Sequence, residues 1–237
     1  MIGPKEKETL KQQIVEIIVD CLLKNKSLPS EKELVERLGV SRSGLRELLA
    51  GFEESGVFVT TQGKSREVQL PDISYTITGG WSILLRARPE SLLELLNVRY
   101  VLEKGFLPDV IESLTVEDLQ KMRDLVDRME AKAKRNEIFT EEDQMFHRIM
   151  YSRLDNLVLD QLLKAFWELF GQMTHLQRSE NLLKGAELHQ QLFQAILTKN
   201  HQEAERLLDQ QFEDVRQRLK RISEEMKAKI HQQEKVN

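Results

Sequence analysis

Asp143 and His147 stand four residues apart in the run Asp143-Gln144-Met145-Phe146-His147. On a helix this spacing puts a carboxylate and an imidazole on one face, where Phe146 and Met150 flank them. His189 shares an apolar stripe with Leu192, Phe193 and Ile196, and Gln211 lies among Leu207, Leu208 and Val215. A polar group at an inward position is costly unless partnered. Four of them on three helices point to one shared polar pocket. One Asp with two His is ordinary ligand chemistry for zinc or another divalent ion. The competing reading is local, with each group hydrogen-bonded inside the core. Arg99 shares a stripe with Leu95, Leu96, Leu102 and Phe106. An inward guanidinium needs an anion, which is either Glu103 one turn on or a ligand carboxylate gripped by two N–H groups. His175, His201 and His231 join no constellation.

A second set lies near the N-terminus. Ser41-Arg42-Ser43-Gly44 and Arg46 open a helix that follows a turn at Gly39, and Leu45, Leu48, Leu49 and Phe52 form its inward face. Arginine grips guanine bidentately, and serine binds phosphate or a base edge. Gln62-Gly63-Lys64 puts a flexible glycine beside a cation at a hairpin tip suited to a minor groove or a phosphate. Lys32 opens the preceding short helix and can reach the backbone. Residues 1–70 hold 11 Lys+Arg and 11 Asp+Glu. The acids Glu6, Glu8, Glu16, Glu47, Glu53 and Glu54 must therefore lie away from a DNA face.

The elements that position these groups follow from periodicity. Apolar residues at helical spacing from Leu10 to Leu22 predict a helix over 6–24. Ser30 with Glu33 three residues on is a capping box and starts a helix over 31–38. Ser41 caps the next, over 42–55, and Gly56 stops it. Val57-Phe58-Val59-Thr60-Thr61 and Arg66-Glu67-Val68-Gln69-Leu70, around a turn, read as a β-hairpin. Helix, short helix, turn, helix and hairpin in that order make a winged helix-turn-helix. Residues 71–88 read as a linker with a short helix around Trp81–Arg86. Beyond Pro89 the chain is nearly free of breakers and predicts helices at 89–112, 115–135, 138–153, 155–178, 181–198 and 200–231. The polar tail Ser223–Asn237 is expected to fray. The expected fold class is mainly α, with three regions: a DNA-binding unit (1–70), a linker (71–88) and an all-helical effector-binding and dimerisation domain (89–237).

Composition narrows the function classes. The 237 residues carry 35 Lys+Arg and 39 Asp+Glu, a net charge of −4, which excludes a wholly basic nucleic-acid coat protein while leaving room for a local basic patch. The single cysteine, Cys21, excludes a disulfide within the chain and a zinc site of four cysteines. The start has no apolar signal-peptide core, and Ile14–Leu23 is too short and too charged to span a bilayer. A cytoplasmic protein without a membrane segment is expected.

The run from Leu28-Pro29-Ser30-Glu31-Lys32-Glu33 through Leu38-Gly39-Val40-Ser41-Arg42-Ser43-Gly44-Leu45-Arg46-Glu47 closely resembles the signature of GntR-family bacterial transcription regulators. The resemblance continues to Val68. It implies a homodimer on a short palindromic operator of double-stranded DNA, contacted at Lys32, Ser41, Arg42, Ser43, Arg46, Gln62 and Gly63. In two places the run departs from the family: Lys24-Asn25 replace a usual Pro-Gly, and Gly44 stands where Thr, Ala or Pro is commoner. Residues 90–222 resemble the FCD effector domain of the FadR subfamily through Arg99-Tyr100-Val101-Leu102-Glu103, Asp143 to His147, Asn156 and Glu187-Leu188-His189. That resemblance implies one divalent metal ion per chain on one Asp and three His. Asp143, His147 and His189 match, and the fourth His falls at Gln211. Three ligands completed by water or an effector carboxylate is one outcome. A metal-free pocket in which Gln211 bonds the ligand is the other.

Together these readings describe a ligand-responsive repressor released by a small organic acid that meets Arg99, Asp143, His147, His189 and Gln211. A metal-free regulator sensing a larger apolar effector, such as an acyl thioester, is one alternative. A metalloenzyme built on Asp143, His147 and His189 is another, although no general base is placed for it.

Overall fold

The computed structural model describes residues 4–59, 66–172 and 181–234. The chain divides into two compact units, Met1–Thr76 and Ile77–Asn237.

In the first unit, α1 (Pro4–Leu23) buries Leu10, Ile14, Ile17, Ile18 and Cys21, the stripe its spacing dictates. Asn25, at φ 50°, reverses the chain after it. The Ser30–Glu33 capping box starts α2 (Glu31–Leu38), with Ser30 N donating to Glu33 Oε2 at 2.8 Å. Gly39 ends it in the left-handed conformation (φ 65°), which glycine adopts without a Cβ penalty. Ser41 Oγ then accepts from Gly44 N at 3.1 Å and caps α3 (Arg42–Glu54). Leu45, Leu48 and Leu49 point inward against Leu34, Val57 and Phe58. β1 (Phe58–Val59) pairs antiparallel with β2 (Glu67–Val68), Phe58 opposite Val68. This is the expected winged helix-turn-helix. The wing tip Gln62-Gly63-Lys64 lies outside the described residues.

The segment read as a linker is mostly one helix, α4 (Ser74–Ala87). Gly79 and Gly80 lower its intrinsic propensity, but one-sided burial overrides them. Leu85 is buried, and Trp81 stacks on Phe166 with ring centroids 4.6 Å apart.

The second unit continues with α5 (Ser91–Ser113), α6 (Val116–Lys134), α7 (Thr140–Tyr151), α8 (Leu157–Gln172), α9 (Leu182–Leu197) and α10 (His201–Glu234). α6 packs on α7 and α9, and α10 packs on α5 and α9. Leu96, Val110, Met122, Met129, Phe146, Leu192 and Leu208 fill the centre. A second capping box, Thr115 with Asp118, starts α6. The tail expected to fray is helical to Glu234. Leu219, Ile222, Ser223 and Met226 keep a helical stripe within the polar sequence, and Ser223 is buried. Two contiguous turns of burial outweigh the polarity around them.

Candidate functional site

On the first unit, Lys32, Ser41, Arg42, Ser43 and Arg46 are all exposed around the start of α3. Leu45, Leu48 and Leu49 anchor the helix from behind, so this surface is presented by a fixed scaffold. Ser41 is partly occupied as the helix cap. Its Oγ lies 3.1 Å from Ser43 Oγ, which ties the two hydroxyls together. Arg42 has no ion-pair or hydrogen-bond partner among the described residues. Arg46 is instead paired with Glu31, which also receives Arg66 Nη1 at 3.3 Å. That network holds the Glu31 carboxyl below the usual range, chiefly through Arg46. Lys7 neutralises Glu47 at 2.6 Å, so the acid beside Arg46 is not bare.

In the second unit, a cavity of about 140 Å³ lies among α5, α7, α8, α9 and α10. Arg99, Asp143, His147, His189 and Gln211 all line it. The four residues expected to share a polar pocket do so, and Arg99 joins them. Asp143 Oδ1 lies 2.7 Å from His189 Nε2 and 4.0 Å from His147 Nε2. Phe139, Phe146 and His147 all meet the His189 ring edge-on and hold it upright.

The tautomers follow from the acceptors. His189 Nδ1 is 2.8 Å from the Gly185 carbonyl, which can only accept, so Nδ1 carries the proton and Nε2 faces Asp143. Burial pushes the His189 pKa down, but the Asp143 carboxylate more than offsets this and raises it above its ordinary value. Burial lowers the His147 pKa despite Glu103 and Asp143 nearby. Burial works to raise Asp143, yet His189 and His147 hold it well below the usual carboxylate range. At neutral pH Asp143 is therefore ionised and His147 neutral, while Asp143 favours the charged form of His189.

Arg99 sits between the Phe170 and Phe212 rings, 5.9 and 5.3 Å from their centroids. Its Nε donates to Glu103 Oε1 at 2.6 Å. Glu103 thus takes the role of its anion, the first of the two possibilities read from the sequence. Both terminal amino groups of Arg99 stay without a hydrogen-bond partner among the described residues, and the second possibility stays open for a ligand. Gln211 is buried, and neither its Oε1 nor its Nε2 has a hydrogen-bond partner among the described residues. An orphaned buried amide is costly, and its position on the cavity wall suits a ligand.

The donor set fits a divalent ion. Asp143, His147 and His189 each offer one ligand atom within 4.8 Å of the others. His189 already has its second nitrogen fixed by a backbone carbonyl, as metal-ligating histidines do. Gln211 offers an amide oxygen where imidazole would bind better. His201 pairs with Glu112 at 3.1 Å, away from the pocket, and His175 and the His231 side chain lie outside the described positions.

Two contributors escaped the sequence reading. Arg218 also lines the cavity, held near Asp214 at 3.3 Å. It stands two turns beyond Gln211, so the stripe spacing carried the signal. Glu103 had been read only as a partner for Arg99, yet its Oε2 is 3.5 Å from His147 Nδ1.

The FCD domain family matches residues 94–214, which include every pocket position named from the sequence. The chain is 29% identical over 164 residues to the HTH-type transcriptional regulator YcbG of Bacillus subtilis, covering 67% of this chain and 68% of that one. It is 25% identical over 235 residues to the Uxu operon transcriptional regulator of Escherichia coli, covering 90% and 87%. The solved structure of Streptococcus agalactiae GntR superposes with a TM-score of 0.62 at 20% identity, over 89% of this chain and 99% of that one, and this likeness establishes the fold. These relatives are regulators and not enzymes, which sets the metalloenzyme reading aside. No helix among the described residues is long and apolar enough to cross a membrane. The chain belongs to the FCD-domain family of GntR-type transcriptional regulators.

Proposed function

We propose that this regulator is a homodimeric, FadR-type repressor that leaves a palindromic operator when a small carboxylate enters the pocket of its second unit. The observation that carries this reading is the shared cavity, lined by a guanidinium, an Asp/His/His set and a glutamine without a hydrogen-bond partner among the described residues. Arg99 grips one carboxylate through its two terminal amino groups, and Gln211 hydrogen-bonds the remaining polar end. When a divalent ion is held by Asp143, His147 and His189, it supplies a Lewis-acid charge that attracts an effector oxygen. Phe170 and Phe212 exclude water and strengthen these interactions.

Cavity size favours a small acid over an acyl thioester. An apolar cavity of about 150 Å³ accommodates benzene, and this one is about 140 Å³. On the DNA side, Arg42 and Arg46 read bases while Lys32, Ser41 and Ser43 take phosphates, with Gln62, Gly63 and Lys64 supplied by the wing. The effector shifts a dimer equilibrium through its differential affinity for two geometries. Carrying operator occupancy from 99:1 to 1:99 requires about 10⁴-fold preference for the released form.

The test is a screen of C2–C6 mono-, di- and hydroxycarboxylates by thermal shift, with operator binding followed in parallel. Wild-type protein is expected to gain stability and lose the operator with the same acid, and Arg99→Ala to do neither. An acid that releases operator equally from Arg99→Ala would refute the assigned role of Arg99. Release by long-chain acyl thioesters alone would refute the small-acid reading.

A further inference from the structure

Glu103 and His147 face each other across an open hydrogen bond. The Glu103 side chain is wholly buried on α5. Its Oε1 accepts from Arg99 Nε at 2.6 Å and from Trp167 Nε1 at 3.3 Å. Its Oε2 accepts from nothing among the described residues. His147 Nδ1, 3.5 Å from that oxygen, is also buried and unpartnered. The gap is about half an ångström beyond an ordinary N–H···O bond. Tyr151 Oη donates to the Glu103 backbone carbonyl at 2.9 Å, so the turn of α5 that carries the carboxylate is pinned to α7, the helix that carries His147.

We infer that Glu103 is a positioning residue whose Oε2 accepts a hydrogen bond from the Nδ1–H of His147, leaving His147 Nε2 bare on the cavity side. This rests on the reading of Asp143, His147 and His189 as a metal-binding set. A neutral imidazole carries one proton, and the nitrogen that binds a metal must be the bare one. The group bonded to the other nitrogen therefore selects the tautomer and the ring orientation. His189 already shows the arrangement, with its Nδ1 on the Gly185 carbonyl. His147 has no backbone carbonyl in that role, and Glu103 Oε2 is the acceptor placed to supply it. One carboxylate then serves both walls of the pocket, holding Arg99 through one oxygen and His147 through the other.

The test is a Co²⁺ titration of the full-length protein, read by its visible spectrum and by chelator competition. Glu103→Gln is expected to weaken Co²⁺ binding about 10–100-fold. In a His147→Ala background the same substitution should cost nothing further, because its effect passes through His147. Wild-type affinity in Glu103→Gln would overturn the inference. So would an equal loss with and without His147, which marks a purely structural role. A wild-type chain that takes up no Co²⁺ would refute the metal reading of the pocket and this inference with it, a result distinct from uptake that ignores Glu103. If Glu103→Gln does not fold, long-range ¹⁵N–¹H spectra of the zinc-loaded wild-type chain decide. A proton on His147 Nδ1 supports the inference, and a proton on Nε2 overturns it.

Discussion

Glu31, in the first turn of α2, holds the Arg46 guanidinium of α3, with Nε at 3.2 Å and a terminal amino group at 3.0 Å from the same Oε2. The base-reading candidate is thus oriented before any DNA arrives, at the expense of a neighbouring negative charge. Arg46→Ala is expected to cost about 1–3 kcal/mol of operator affinity and to relax specificity at one position. Glu31→Gln should cost about 1 kcal/mol, since Arg46 is exposed but Glu31 is half-buried and also receives Arg66. It should raise affinity for random DNA while lowering the ratio of operator to random binding. Competition titrations on both DNAs check this, and an unchanged ratio would show that Glu31 does not orient Arg46.

Arg42 is exposed and, among the described residues, unpaired, which suits a cation that meets the DNA directly. Operator affinity should fall steeply with salt, with a slope of about −0.9 in log K against log salt per phosphate neutralised. If Arg42 contacts a phosphate, Arg42→Ala makes that slope less negative by about one and weakens all sequences alike. An unchanged slope with lost discrimination is the outcome expected of the base-reading role assigned to Arg42.

The fourth wall of the metal set can be rebuilt. Gln211→His should tighten zinc binding by about tenfold, roughly 1.4 kcal/mol, because imidazole is the better ligand. The same change removes the amide, so effector affinity should drop by about 0.5–1.5 kcal/mol for each hydrogen bond lost. Isothermal titration with zinc and then with the effector separates the two. Zinc affinity that stays at the wild-type value would place residue 211 outside the coordination shell.

Asp118, in the first turn of α6, completes the Thr115 capping box and also receives Arg153 at 2.7 and 2.9 Å. Arg153 and the Thr115 bonds hold its carboxyl far below the usual range, against the opposing effect of burial. A depressed carboxylate stabilises the fold above its unfolded pKa of about 3.9, and that contribution is lost as pH falls toward the folded value. Asp118→Ala should cost about 0.5–2 kcal/mol near neutral pH, the worth of an N-terminal cap. The gap in unfolding free energy between wild type and variant should shrink from pH 5 to pH 3. A gap that is constant with pH would mean that ionised Asp118 contributes no more folded than unfolded.

Much of this molecule is local, and local features are legible one residue type at a time. The Ser30–Glu33 and Thr115–Asp118 boxes, the Gly39 turn and the inward face Leu45, Leu48 and Leu49 each follow from spacing over one or two turns. So does the shared face of Asp143 and His147. Periodicity misled where burial and composition disagree, as at Gly79-Gly80 in α4 and in the polar end of α10.

Sequence alone therefore determined the helices, their faces and the residue types each face presents, because backbone hydrogen bonds and side-chain period act over four residues. It could not decide which anion Arg99 takes, since Glu103 and a ligand both lay within reach. Tertiary packing put Glu103 on the Nε side by closing it into the core beside Trp167 and Tyr151, and left the terminal amino groups facing no partner among the described residues. Packing also brought α5, α7, α9 and α10 together, so that Arg99, His147, His189 and Gln211, more than a hundred residues apart at the extremes, line one cavity. Convergence of that kind depends on how whole helix faces fit, and no short stretch of chain contains it.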